Sequence, residues 1–235
     1  MIVLVRRIVV ISAVVLALLA CGVVGALAAP GGESTPISRT QAVAYAHAVN
    51  LRPGDVPGMH SFGGSEANGL VVKFRLTPAT GCGSADSGEE FDVYSPVFRR
   101  LGRRHRASVH GYLSLPAEGL HSKVDVKQSA AEQERDFSAV MCDNAHIVKT
   151  RRSARHQVLP SPLPGVGLLG TRTWRTAPKA MFGTANVTLY SDRFSFVVGP
   201  AEIVLAITSA PGPPRTELER RLLSLLYSRA EAHKL

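Results

Sequence analysis

Few residues in this 235-residue chain are spaced for chemistry, and each arrangement has a structural alternative. Gly165-Val166-Gly167-Leu168-Leu169-Gly170 matches the dinucleotide-binding fingerprint letter for letter. That motif works when a strand leads into it and a helix N-terminus follows, aimed at the pyrophosphate. Here Pro160, Pro162 and Pro164 precede it and the strand-like Thr171-Arg172-Thr173-Trp174 follows, so it reads as a turn into a strand. The eight histidines show no zinc-ligand spacing, and the chain has neither a Gly-x-Ser-x-Gly elbow nor a His-Glu-x-x-His pair. His105 and His156 lie in Arg-rich stretches, and His110 lies on the polar side of an alternating run. Asn186-Val187-Thr188 is formally a glycosylation sequon, a three-letter match of little weight. No metal, cofactor or catalytic residue is expected, and the chain reads as non-enzymatic.

Two arginine clusters carry most of the remaining signal. Arg99, Arg100, Arg103, Arg104 and Arg106 form one, and Arg151, Arg152 and Arg155 the other. Clustered cations near an anionic membrane surface each add roughly 1 kcal/mol of attraction, so these residues are a candidate anion-binding patch for lipid headgroups or acidic wall polymer. The ordinary reading is loop solubility in an Arg-rich chain. The net charge is +9, but only 6% of residues are aromatic. No stacking stripe interleaves with the basic residues, so no nucleic-acid partner is expected.

The compartment is read from the start of the chain. Arg6 and Arg7 precede an uncharged apolar run from Ile8 to Ala29, and Pro30-Gly31-Gly32-Glu33 breaks it. About 20 such residues suffice to cross a bilayer, and the leading arginines place the chain after Pro30 outside the cytoplasm. Three mature forms fit. Leu18-Leu19-Ala20-Cys21 matches a lipobox, which makes Cys21 a candidate lipidation site. Ala26-Leu27-Ala28 matches an ordinary signal-peptidase site. The third form is an uncleaved anchor. With Cys21 in the leader, Cys82 and Cys142 remain as an even pair in an oxidising space, and a disulfide between them is expected. Closing that loop is worth roughly 4 kcal/mol in the chain-entropy model.

These residues are carried by a recognisable series of elements. Residues 1–29 read as signal peptide or anchor, 30–37 as linker, 38–230 as one domain and 231–235 as a tail. Ser38-Arg39-Thr40-Gln41 is a capping box for a helix through Val49. Ser61 to Asn68 reads as a loop, Leu70 to Leu76 as a strand, and Thr77 to Glu90 as the loop holding Cys82. Phe91 to Phe98 reads as an edge strand because Pro96 interrupts it. Ser108 to Leu115 alternates as a further strand. Ser129-Ala130-Ala131-Glu132 caps a long helix with a stripe of Phe137, Val140, Met141, Ala145 and Val148. Thr150 to Pro164 reads as a connector. Three alternating runs follow, at Val187 and Leu189, Phe194 to Val198, and Ile203 to Ile207. Ser191-Asp192 and Gly199-Pro200-Ala201 stand between them as turns of an antiparallel meander. Pro213-Pro214 leads into a terminal helix with Leu218, Leu222, Leu225 and Leu226 in its stripe. The predicted fold class is α+β: an antiparallel sheet packed against a long central helix and a C-terminal helix.

That order resembles the extracytoplasmic sensor-like domains of actinobacteria. The type occurs outside the mycobacterial serine/threonine kinase PknH and in stand-alone lipoproteins. The residues that carry the resemblance are Pro78 and Cys82, Tyr94-Ser95, the strand near Val109 and the helix holding Cys142. The Cys82–Cys142 spacing suits the first disulfide of that family; its second disulfide has no counterpart here, and no kinase domain precedes the leader. The resemblance implies a ligand cleft between helices and sheet, with no ligand residues carried over. The expected function is a membrane-associated binding or sensor-like domain for a small, unidentified ligand of the cell envelope. A lipid or wall-precursor carrier and an envelope hydrolase are the alternatives. The carrier requires an apolar cavity, the hydrolase a converging carboxylate or His pair.

Overall fold

Ser38 opens the first helix as its spacing from Gln41 predicts. The Gln41 N–H donates to Ser38 Oγ (3.3 Å) and the Ser38 N–H donates to Gln41 Oε1 (3.0 Å), satisfying two end groups of α1 (Arg39–Val49). The computed structural model describes residues 36–63, 67–68, 91–101, 116–150, 155–177 and 187–235. The expected leader, the strand at Leu70 to Leu76, the loop at Thr77 to Glu90 and the strand at Ser108 to Leu115 lie outside those residues.

Among the described residues nine strands form one antiparallel sheet: β1 (His60–Phe62), β2 (Ala67–Asn68), β3 (Phe91–Tyr94), β4 (Val97–Leu101), β5 (Pro116–Val126), β6 (His156–Leu159), β7 (Leu168–Ala177), β8 (Val187–Val198) and β9 (Ala201–Ser209). The order across it is β1-β4-β5-β9-β8-β7-β6, with β3 also on β5 and β2 on β3. Two further helices are α2 (Ala130–Thr150) and α3 (Thr216–Ala232). The α+β class and the antiparallel sheet agree with the sequence reading.

The pleat sorts the sheet into two faces. One face carries Val93, Leu120, Val124, Phe194, Phe196, Ile203, Leu205 and Ile207, all buried beneath Tyr45 and Val49 of α1 and Leu222, Leu223 and Leu226 of α3. Burying each such side chain is worth about 1.5–3 kcal/mol, so this layer dominates the stability of the fold. On the opposite face Val204 and Ser195 are also buried, where α2 runs against β6, β8 and β9. The Ser129 hydroxyl accepts from the Glu132 N–H at the start of α2, and Lys127 pairs with Asp136 to tie the helix to the end of β5.

The structure corrects six sequence expectations. Pro116–Val126, absent from the elements expected from sequence, is a strand near the centre of the sheet. Its alternation is masked because Glu118, Ser122 and Asp125 are buried alongside Leu120, Val124 and Val126. Ser191-Asp192 is no turn but the interior of the 12-residue β8, its carboxylate held by Arg172. The connector at Thr150 to Pro164 contains β6, and the loop at Ser61 to Asn68 contains the end of β1 and all of β2. Phe91 to Phe98 is two strands laid end to end along β5, with β1 and β2 outside them, so it is not the edge. Pro96 sits in the break between them, where the Ser122 N–H donates to Ser95 Oγ instead of to a ladder carbonyl (2.9 Å). Among the described side chains of α2 the buried ones are Gln133 and Asp136, and Phe137 and Met141 of the expected stripe are half-buried; Val140, Ala145 and Val148 lie outside the described side chains.

Candidate functional site

The β7–β8 hairpin outreaches its neighbour. Ser209, the last residue of β9, pairs with Tyr190, while Arg175 and Leu189 pair one step further on with nothing from β9 beside them. At this step in the sheet a cleft of about 500 Å³ opens. Three successive cross-strand rows line it: Thr173, Ser191 and Thr208; Trp174, Tyr190 and Ser209; Arg175 and Leu189. Strand alternation puts the first and last rows on one face and the middle row on the other. The Trp174 and Tyr190 rings lie 6.5 Å apart, tilted by 31°. The lining therefore offers mostly apolar surface with a few hydroxyls and one guanidinium, the composition of a small-molecule site in which a few polar groups fix orientation.

Directly behind the cleft is a buried charge cluster. Two residues back along β7 and two forward along β8 from the Trp174–Tyr190 pair, on the same face, stand Arg172 and Asp192. Arg172 donates from Nε to Asp192 Oδ1 (2.7 Å) and from Nη2 to Asp192 Oδ2 (2.5 Å). Glu219 of α3 joins them, with Oε1 3.7 Å from Arg172 Nη2. Asp192 is fully buried and Glu219 is 3% exposed. Burial pushes the Glu219 carboxyl up to about 8; hydrogen bonding with Asp192 and its charge add to the rise, and Arg172 opposes it. Arg172 is held above its ordinary value, first by the hydrogen bonds to Asp192. The Asp192–Glu219 pair is the kind of carboxylate pair a hydrolase needs, yet both carboxyls are sealed from solvent. A molecule in the cleft touches neither.

The sequence-predicted residues fall elsewhere. Arg99 and Arg100 sit side by side on β4 but point to opposite faces. Arg99 is exposed, 5.2 Å from the Phe62 ring centroid, whereas Arg100 approaches Glu118 at 3.9 Å. Arg155 lies beside β6, at the other end of the sheet from β4, so these members of the two clusters do not converge. Arg103, Arg104, Arg106, Arg151, Arg152, Cys21, Cys82, His105, His110 and Asn186 lie outside the described residues. Cys142, exposed on α2, is not left as a free thiol. The Gly-rich run is a turn into β7, as read from sequence: Gly165 has a φ of +77°, and Gly170 lets Phe194 pack against the strand backbone.

Sequence reasoning missed Arg172, Asp192 and Glu219, although a signal existed. Each is a charged residue on an apolar repeat: Glu219 with Leu222, Leu223 and Leu226 in α3, Asp192 with Phe194 and Phe196, Arg172 with Leu168 and Gly170. Among the described residues no group of three or more His, Cys, Asp or Glu side chains is placed to hold a metal ion, and no helix is long and apolar enough to cross a membrane.

No protein family and no curated protein matches the chain by sequence. Among solved structures it bears a distant resemblance to the crystal structure of the extracellular domain of PknH from Mycobacterium tuberculosis. The TM-score is 0.41 and the identity 8%, over 83% of this chain and 98% of that domain.

Proposed function

We propose that this protein is a non-enzymatic, extracytoplasmic binding or sensor-like domain that holds a small ligand of the cell envelope in the cleft beside Trp174 and Tyr190. The observation that carries the reading is the cleft itself. It gathers hydroxyls from three strands and the Arg175 guanidinium at one open site, while the nearest carboxylate pair is out of a ligand's reach. A hydrolase needs its acid or nucleophile in contact with the substrate, and a lipid carrier needs an enclosed apolar cavity. The carboxylates nearest the cleft, Asp192 and Glu219, are sealed away from it, and the cleft is open rather than enclosed. The extracytoplasmic setting, and attachment to the membrane through Cys21 or an uncleaved anchor, rest on the apolar run behind Arg6 and Arg7. In that setting Cys142 pairs with Cys82, which intact mass before and after reduction tests directly.

Native mass spectrometry of the protein isolated from its own envelope tests the binding reading. A low-mass adduct lost on denaturation is expected, with no turnover of ester, peptide or glycoside substrates above a denatured control. Turnover abolished by a single Ser, His or Asp substitution would overturn it.

A further inference from the structure

The join between α3 and the cleft-forming hairpin holds two carboxyl groups and one guanidinium. Arg172 commits Nε and Nη2 to Asp192, leaving Glu219 a 3.7 Å contact, and Glu219 Oε1 accepts no hydrogen bond. With both carboxyls ionised the cluster carries an excess negative charge, and among the described residues Arg172 alone is placed to oppose it. β7 contributes Arg172, β8 contributes Asp192 and Tyr190, and β9 contributes the apolar Ile207 opposite Asp192. On β6 the residue opposite Arg172 is the uncharged Gln157, and His156 lies one position away on the other face. On α3 itself the neighbouring Glu217, Arg220 and Arg221 are exposed. A buried carboxylate without compensation takes up a proton, and a protonated Glu219 can donate to Asp192 and complete the network.

We propose that Arg172, Asp192 and Glu219 form a proton-operated latch: protonated Glu219 pins α3 to the β7–β8 hairpin, and its ionisation loosens that join and alters the cleft one register step away. The rise of the Glu219 carboxyl to about 8 sets the range in which the latch works. The effect on ligand occupancy rests on reading the cleft as the binding site; the latch itself does not.

Trp174 is the sole tryptophan of the chain, lines the cleft and stands two residues from Arg172, so its fluorescence reports on this end of the sheet. In the purified full-length protein, Trp174 emission should titrate with a midpoint near pH 8. Glu219→Gln, which keeps a neutral hydrogen-bonding side chain, should remove the transition while retaining the wild-type circular dichroism. Hydrogen exchange in α3, corrected for its intrinsic pH dependence and set against α1, should rise about tenfold between pH 7 and 9 in the wild type, the value that release of one proton through that range gives. A flat wild-type fluorescence profile, or an unchanged midpoint in Glu219→Gln, would overturn the latch. Neither measurement uses a ligand, so a failure of the latch and a failure of the binding reading are told apart.

Discussion

Arg172 and Asp192 face each other across β7 and β8 in a two-point pair, Nε to Oδ1 at 2.7 Å and Nη2 to Oδ2 at 2.5 Å, at directly opposed register positions. The guanidinium fork matches a carboxylate in this way and a lysine does not. Removing one partner of a buried pair leaves the other charge uncompensated, which typically costs about 3–5 kcal/mol. Arg172→Met is therefore expected to destabilise the protein by about that amount, measured by urea unfolding at pH 7. A loss under about 1 kcal/mol would mean that another group compensates Asp192.

Glu219 adds a pH dependence of known sign. Its carboxyl sits at about 8 in the folded chain against 4.5 in the reference state, so the folded protein binds the proton more tightly. The corresponding stability is fully present below about pH 4.5 and is lost progressively as pH rises through about 8. For a chain of this size the slope amounts to a fall in Tm of about 3 °C per pH unit from this group alone. In Glu219→Gln that component should vanish, leaving a Tm profile flatter between pH 5 and 8 than the wild type's.

How much of this was legible in the sequence follows from where polarity and burial part company. The cap at Ser38, the helix at Leu218 to Tyr227 and the antiparallel strands of the last third were legible because their apolar periods are clean. β5 and the middle of β8 were not, since Ser122, Asp125 and Asp192 break the period while being buried. Their partners come from segments far away in sequence, a relationship no local pattern carries. The same fact hid the site: Arg172 and Asp192 are 20 residues apart, and Glu219 reaches them from another element.

Ser122 shows what such a buried polar residue does. Its hydroxyl accepts from the Leu51 N–H (2.9 Å) and donates to Asn50 Oδ1 (2.7 Å), while Asn50 Nδ2 donates to the Val93 carbonyl (2.9 Å). The network fastens the end of α1 to β3 and β5. Ser122→Ala leaves a buried N–H and a carbonyl oxygen without these partners, and a loss of about 2 kcal/mol in denaturant unfolding is expected.

The Gly-rich run has a packing purpose that substitution can expose. A Cβ on Gly170 would lie 2.9 Å from Phe194 Cε1 and 3.1 Å from Leu159 Cβ, so the ring would have to move within the core. Gly170→Ala is expected to cost about 1–3 kcal/mol. Gly167→Ala, where a Cβ meets nothing within 4 Å, should stay within about 0.5 kcal/mol of the wild type.

The binding reading is tested most directly by titrating Trp174 fluorescence with a small-molecule fraction of the native envelope. A saturable change is expected in the wild type. It should be absent in Ser191→Phe, whose ring occupies the cleft, provided that circular dichroism shows the variant folded. An unresponsive wild type, or an identical response in the folded Ser191→Phe protein, would contradict the account.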